Sequence, residues 1–502
     1  KIMSPNCHRV LVLLLFVGHF LQSSISLLVP SHFPHSSCPW LHKIKNPGVV
    51  KSNYPKSLPE SAMNRDVRNG DRSLPRFRSC NPTIVHFDNA GDSPMPPTPV
   101  LSTVISHLEL EASLGGYLAA EEMAEDLRSV YTSIRDLIGA QEVNEIALME
   151  GATVAWTRAF YSIAECTEDT AVGPGDVMIC SEMEYAANLV AMREVASRRG
   201  ASVITCPSTP CGTVDIKAFQ SLLYSLDSRI IIVCMTHVPT NCGAVNDLEG
   251  IGKAIEKCNI ERREQRSGKE IMFIVDACQS VGQRCVSVDE LRCHVLTATG
   301  RKYLRGPRGT GFLYVRKRLA DRLVPSHVDH FGAPVVKEIV PGNLCASSPE
   351  DVAYKYRDGA RRFEFWERSV SNVLGLGAAV DHFMEVGVHF VERRCKELAL
   401  TLSRNLKDHL GDRVSIYYDP ENGIGDYCGI MTFSVGDFDA HEVKAYLLQE
   451  GGFTTSVVPE TSTPLYSSRT GCGDLVRVSL SYFNTDDEIK AMCFLLKEMV
   501  ES

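Results

Sequence analysis

The sequence has no basic excess: 52 Lys and Arg stand against 61 Asp and Glu, a formal net charge of -9. Nothing in that balance recruits nucleic-acid phosphates, and no nucleic-acid partner is expected. The eighteen cysteines include neither a CxxC pair nor a Cys/His cluster at zinc spacing. That pattern argues against a structural metal and leaves the thiols as small apolar residues. No internal repeat or low-complexity array occurs. The apolar run from Val10 to Phe20 is too short for a membrane span, so no membrane association is expected of the mature form.

That run follows His8 and Arg9 and precedes Ser23, Ser24 and Ser26, the layout of a signal peptide over residues 1–26. From Leu27 to Cys80 there are nine Lys or Arg against three Asp or Glu, with many Ser, Pro and Asn. Residues 27–80 therefore read as a transit or linker segment without fixed structure. Such a pair resembles the bipartite leader of plastid proteins in algae with complex plastids. Both plastid delivery and secretion remain open.

From about Asn81, short apolar runs alternate with helical patterns, the rhythm of a mostly parallel α/β sheet covered by helices. Strands are expected at Val177–Cys180, Val203–Cys206, Ile230–Met235, Ile271–Val275, Val295–Ala298 and Gly311–Val315, with a helix over Ala186–Arg199 closed by Gly200. Past residue 330 the rhythm changes. A helical segment over about 372–404 leads into a smaller α+β part, with strands at Val414–Tyr418, Gly429–Val435, Phe453–Val458 and Leu475–Tyr482 and a capping box at Thr485 and Glu488. The expected division is a large domain over 81–330 and a small one over 331–502.

In open α/β sheets reactive groups gather just past strand ends. Asp276 directly follows a buried strand, where a carboxylate is costly unless a cation meets it; a protonated pyridine nitrogen would do so, and would make the ring an electron sink. Twenty-six residues on, Lys302 sits between two glycine-bearing turns in Thr299-Gly300-Arg301-Lys302-Tyr303-Leu304-Arg305-Gly306. Arg301 beside it would lower its pKa toward the nucleophilic amine, which makes Lys302 the candidate Schiff-base lysine. Gly151-Ala152-Thr153 opens a helix whose first amides, with the Thr153 hydroxyl, can hold a phosphate, aided by Thr299 and Arg301.

These strings resemble the class V aminotransferase family of pyridoxal-phosphate (PLP) enzymes, which includes cysteine desulfurases, selenocysteine lyases and isopenicillin N epimerase-like proteins. The likeness runs from about His86 to Val500. It implies the fold type I architecture of PLP-dependent transferases, PLP as cofactor, a small amino acid as substrate and a homodimer. By the same likeness Asp276 holds the ring nitrogen and Gln279 lies near the phenolic oxygen. Tyr185 covers the ring where the family commonly has His, and Thr240, or Asn241 by a shift of one, takes an asparagine's place. Asn89 and Ala90 belong to the opening Asp-Asn-Ala segment at the substrate, and Arg477 grips the substrate carboxylate.

Two departures matter. Counting back from Arg477, Ser462 stands where a desulfurase carries its nucleophilic thiol, and Cys472 is the nearest cysteine. Phe365-Trp366-Glu367-Arg368-Ser369 replaces a Gly-Thr-Pro segment that contacts the neighbouring subunit's phosphate. A C–S lyase or desulfurase-like activity on cysteine or a cysteine derivative is the first expectation. An aminotransferase or epimerase is the second, and a catalytically silent scaffold the third.

Overall fold

The computed structural model describes residues 84–226, 229–336, 354–422 and 425–502. The expected signal peptide over 1–26 and transit segment over 27–80 lie outside the described residues. Seven strands form the main sheet: β1 (Ile146–Met149), β2 (Val177–Cys180), β3 (Ser202–Thr205), β4 (Ile230–Thr236), β5 (Met272–Asp276), β6 (Val295–Thr299) and β7 (Gly311–Val315). Their order is β1-β7-β6-β5-β4-β2-β3, and β7 alone runs against the others.

Residues of β4 and β5 alternate between two apolar clusters. Val233, Met235, Phe273 and Val275 face one side, while Ile232, Cys234, Met272 and Ile274 face the other. The first side is covered by α2 (Ala124–Ile138), α5 (Ile216–Leu226), α6 (Leu248–Gln265) and α7 (Val370–Val386), the second by α3 (Ala152–Tyr161) and α4 (Ala186–Arg199). Burial on both faces is why these strands read as unbroken apolar runs rather than alternating ones.

A second sheet holds β8 (Val414–Ile416), β9 (Ile430–Val435), β10 (Ser456–Val458) and β11 (Leu475–Ser479), all antiparallel in the order β8-β9-β11-β10. Its core is shared with α8 (Val388–Leu410), α9 (Ala440–Gly451) and α11 (Asp486–Glu501). Thr485 and Glu488 form the expected capping box. The single helical segment expected near 372–404 is two helices, α7 and α8, parted at Gly387, whose φ of 98° suits glycine. The strand expected over 453–458 is also divided. Phe453–Thr454 pairs in parallel with Val85–His86, while Ser456–Val458 pairs with β11.

One glycine decides how closely the two halves of the site approach. A Cβ on Gly311 would lie 2.6 Å from the Ala298 carbonyl oxygen and 3.1 Å from the Gly151 backbone. Both obstacles are main chain, which cannot step aside cheaply. Gly311→Ala is expected to cost about 1–3 kcal/mol by overpacking, read as a lower urea midpoint at unchanged slope.

Candidate active site

β1, β2, β4, β5 and β6 are mutually parallel, and their carboxyl ends open on one cavity of about 390 Å³. Its wall is built from the turns that follow those strands: Gly151, Ala152 and Thr153 after β1, Tyr185 after β2, Thr236 and Thr240 at and after β4, Asp276 to Gln279 after β5, and Thr299, Arg301 and Lys302 after β6. The sheet thus brings residues far apart in sequence to one place.

The floor is a carboxylate. Asp276 is 6% exposed; its Oδ2 accepts from Asn188 Nδ2 at 2.9 Å and its Oδ1 from the Cys278 amide at 2.9 Å. Among the described residues it makes no ion pair. Behind it lies a second carboxylate that sequence reasoning missed. Asn188 Nδ2 also donates to Glu184 Oε1 at 2.8 Å, and Glu184 accepts from Thr236 N and Oγ1 at 3.1 and 2.6 Å. One amide nitrogen, that of Asn188, therefore joins two buried acids by donating to each. Burial pushes Glu184 up to about 7, against the hydrogen bonds of Asn188 and Thr236. The signal was present: Glu184 and Asn188 stand four apart at the entry to α4, where both can face one way.

Lys302 lines the cavity, and burial holds its amine below the ordinary lysine range, with Asp276 opposing and Arg477 and Arg301 adding to the effect. Its turn is pinned from three sides. The Arg305 amide donates to the Lys302 carbonyl at 2.8 Å, and Ser93 N donates to the Arg301 carbonyl at 2.9 Å. The Arg305 guanidinium donates to Pro94 O and Tyr482 Oη, each at 2.8 Å, and lies 4.3 Å over the Phe483 ring. Arg305 itself has φ of 63°, a left-handed conformation costing about 1–3 kcal/mol. These charge-assisted bonds hold it there.

The opposite end of the cavity suits an anion. Gly151 is the N-cap of α3 and provides no side-chain cap, so the first amides at Ala152 and Thr153 face the cavity with Arg301 and Arg308 beside them. Arg308 was not singled out in the sequence. Thr299 lines the cavity, but its hydroxyl donates to the Thr310 carbonyl at 3.2 Å, so donation to a phosphate requires rotation.

Tyr185 stands at the rim, 41% exposed. Gln279 donates from Nε2 to Ala90 O and to Thr240 Oγ1, each at 3.2 Å, while its buried Oε1 has no partner. Thr240 faces the cavity, whereas Asn241 turns away and donates to Thr463 Oγ1 at 2.7 Å. Of the two positions weighed for that role, the structure brings Thr240 to the site. Asn89 is a correction: it is fully buried, bonded to Ser479 O at 2.7 Å and to Ser93 Oγ at 2.6 Å, so it ties chain segments together instead of meeting a substrate. Ala90 is buried and contributes its carbonyl to Gln279. Arg477 stands behind Thr240, donating to its Oγ1 at 2.8 Å and to Asp88 Oδ1 at 3.0 Å.

Two buried groups set opposite pH dependences of stability. Glu184, raised to about 7, contributes stability fully present below its unfolded pKa near 4.5 and lost as pH rises toward 7. His237, which burial lowers to about 3, contributes stability present above its unfolded 6.5 and lost as pH falls toward 3. Urea unfolding of cofactor-free protein at pH 5 and pH 8 separates them. Relative to wild type, Glu184→Gln should lose more stability at pH 5 than at pH 8; an equal loss at both would contradict the assignment.

The sequence model of the family described as Aminotransferase class-V matches residues 85–492. A probable cysteine desulfurase of Xylella fastidiosa (strain 9a5c) is 26% identical over 410 residues, covering 81% of this chain and 88% of that protein. Among solved structures, the apo cysteine desulfurase of Thermococcus onnurineus NA1 superposes with a TM-score of 0.69 at 20% identity, over 83% of this chain and 95% of that one. C-DES, solved as a cystine C–S lyase in complex with its product cysteine persulfide, gives 0.66 at 17% identity, over 82% and 97%. A C-DES mutant with glycine covalently linked to the PLP cofactor gives 0.66 at 16%, over 82% and 96%. With the family match spanning most of the chain and the same fold in these neighbours, the protein belongs to the class-V aminotransferase family.

Proposed function

We propose that this chain uses PLP to cleave the C–S bond of cysteine or a cysteine derivative. The carrying observation is the composition of one cavity: a desolvated amine at Lys302, a carboxylate without an ion-pair partner at Asp276, and an anion end at Ala152, Thr153, Arg301 and Arg308. That donor set fits PLP part by part. Asp276 would face the ring nitrogen, the α3 terminus and the two guanidiniums the phosphate, Tyr185 the ring face, and Thr240 and Gln279 the phenolic oxygen side. The likeness to cysteine desulfurases and to a cystine C–S lyase supports a sulfur substrate.

When bound, PLP supplies an electron sink for the charge left at the substrate's α-carbon. Asp276 keeps positive charge stable on the cavity floor. Arg477 orients the substrate carboxylate, and Lys302 Nζ takes the α-proton as general base, its lowered pKa matching the task. In β-elimination the C–S bond would then break with its electron pair leaving on sulfur, and water would hydrolyse the remaining enamine to pyruvate and ammonia, with the sulfur compound as the third product.

Elimination is favoured over transfer of sulfur to a protein thiol. Ser462 lies in a short 3₁₀ turn ahead of α10 (Pro464–Thr470), and Cys472 is buried with its Sγ against Ser467 Oγ at 3.7 Å. Among the described residues the one thiol in the cavity wall is Cys278, which burial pushes well above the ordinary range.

A second copy completes the reading. α1 (Ser102–Leu114) buries His107 alone and, with the following Gly116–Glu122 helix, exposes Ile105, Leu108, Leu114, Tyr117 and Leu118. The Tyr117 ring lies 6.4 Å from that of the half-exposed Trp366. Exposed apolar side chains of this kind support an interface, and the family likeness favours a second copy of the chain as its occupant. Tyr117→Asp combined with Leu118→Asp should convert a dimer to a monomer in sedimentation equilibrium.

The direct test is the visible absorbance of protein reconstituted with PLP, beside Lys302→Ala. The parent should show a lysine-bound band absent from the variant, and L-cysteine should yield pyruvate with sulfide, or cystine pyruvate with cysteine persulfide. Alanine, with sulfide released only when dithiothreitol is added as reductant, would mean desulfuration, and neither product would leave transamination or epimerisation.

A further inference from the structure

Arg477 is held as a carboxylate-binding arginine would be, but by the protein's own carboxylate. Its NH1 donates to Thr240 Oγ1 at 2.8 Å and to the Thr240 carbonyl at 3.3 Å, and its NH2 donates to Asp88 Oδ1 at 3.0 Å. The side chain is 7% exposed, and its buried Nε has no hydrogen-bond partner. A carboxylate prefers two parallel bonds to a guanidinium. With NH1 committed to Thr240, such a pair would use Nε and NH2, and Asp88 already bonds one of those two nitrogens.

The Asp88 main chain is fixed. Its carbonyl accepts from Gly91 N at 3.1 Å and Asp92 N at 3.0 Å, and it bridges to Ser479 of β11. Gly91 leaves the place its carboxylate takes: a Cβ there would fall 2.4 Å from Asp88 Oδ2. The carboxylate is a quarter exposed, so part of it meets solvent rather than protein.

We infer that Asp88 is a specificity-determining residue that occupies the guanidinium edge of Arg477 as an internal stand-in for the substrate's α-carboxylate, so that only a ligand able to displace it engages Arg477. The inference rests on the proposed role of Arg477 in binding an amino acid at PLP. Two consequences follow from charge alone. Any ligand carboxylate competes with Asp88, so affinity for amino acids is lower than the bare arginine would give. Amines without a carboxylate gain nothing from Arg477 and are indifferent to Asp88.

Asp88→Asn keeps an oxygen that accepts from Arg477 NH2 but removes the charge. PLP-loaded wild type and variant are titrated with L-alanine and with ethylamine, which lacks only the carboxylate, following the visible band. The variant should bind L-alanine about tenfold more tightly, the scale of one charged hydrogen bond, and ethylamine unchanged; the KM for L-cysteine should fall with kcat little altered. Weaker or unaltered L-alanine binding, or an equal change for ethylamine, overturns the proposal and makes Asp88 a buttress of Arg477. Should the Asn variant not fold, Asp88→Ser, which removes the charge and shortens the side chain, puts the same question. Absence of any visible band in the wild type would instead sink the PLP reading, and a band with L-alanine binding unmoved by Arg477→Ala would sink only the role of Arg477.

Discussion

A carboxylate buried at the end of a central strand with no ion pair among the described residues is the constraint around which the rest of this protein is arranged. Asp276 has two donors, the Asn188 amide and the Cys278 N–H, and neither carries charge. Leaving it so costs several kcal/mol unless a positive group completes the site. The surroundings make that cost bearable. β4 ends level with β5, so Thr236 meets Glu184 and the His237 amide reaches the Asp276 carbonyl. α4 begins where Asn188 can reach both acids. Lys302 is brought to the same cavity by β6, the next strand across, and is kept there by a turn bonded to the first and last segments of the described chain.

The main sheet was legible because its strands are buried on both faces. An unbroken run such as Ile230–Met235 has little alternative, and the observed strand differs from it by one residue. That the Lys302 turn and the turn at residues 151–153 open on one cavity was legible for a related reason, since each joins a buried strand to glycine and a charged or hydroxylated residue. The smaller sheet was read less well, because its strands are short and their ends depend on partners. Phe453 to Val458 divides when a strand from residues 85–86 takes its first half, an event nearly four hundred residues away in sequence. Glu184 and Asp88 went unread as functional groups for the same cause. Each owes its meaning to a partner on another element, Asn188 with Asp276 in one case and Arg477 in the other. Asn89 erred in the reverse direction: its place in a motif suggested a ligand contact, while its depth allows contacts only with Ser93, Ser479 and Asn484.

The segment between β10 and β11 shows how a family resemblance is modified locally. α10 is docked, not free-standing. The Arg469 guanidinium clasps the Glu182 carboxylate, Thr463 receives the Asn241 amide, and Tyr466 shares an apolar cluster with Met183, Cys242 and Cys472. Residues 182 and 183 directly precede Glu184 and Tyr185, so the anchorage of α10 and the floor of the site share one short stretch of chain. A thiol carrying sulfur outward would need freedom that this docking does not give.

The ladder of contacts between the start and the end of the described chain has a consequence for synthesis. Asn89 bonds to Ser479, Asn484 Nδ2 to the His86 carbonyl, and Asp88 to Arg477, each across nearly four hundred residues. A chain emerging from the ribosome can assemble most of its main sheet while these early residues wait unpaired. Their partners arrive only when β11 and the turn after it have cleared the exit tunnel, so the surroundings of Arg477 are among the last parts to form. A nascent chain interrupted after β7 but before residue 475 would carry most of its main sheet with Asp88 and Asn89 still unpartnered.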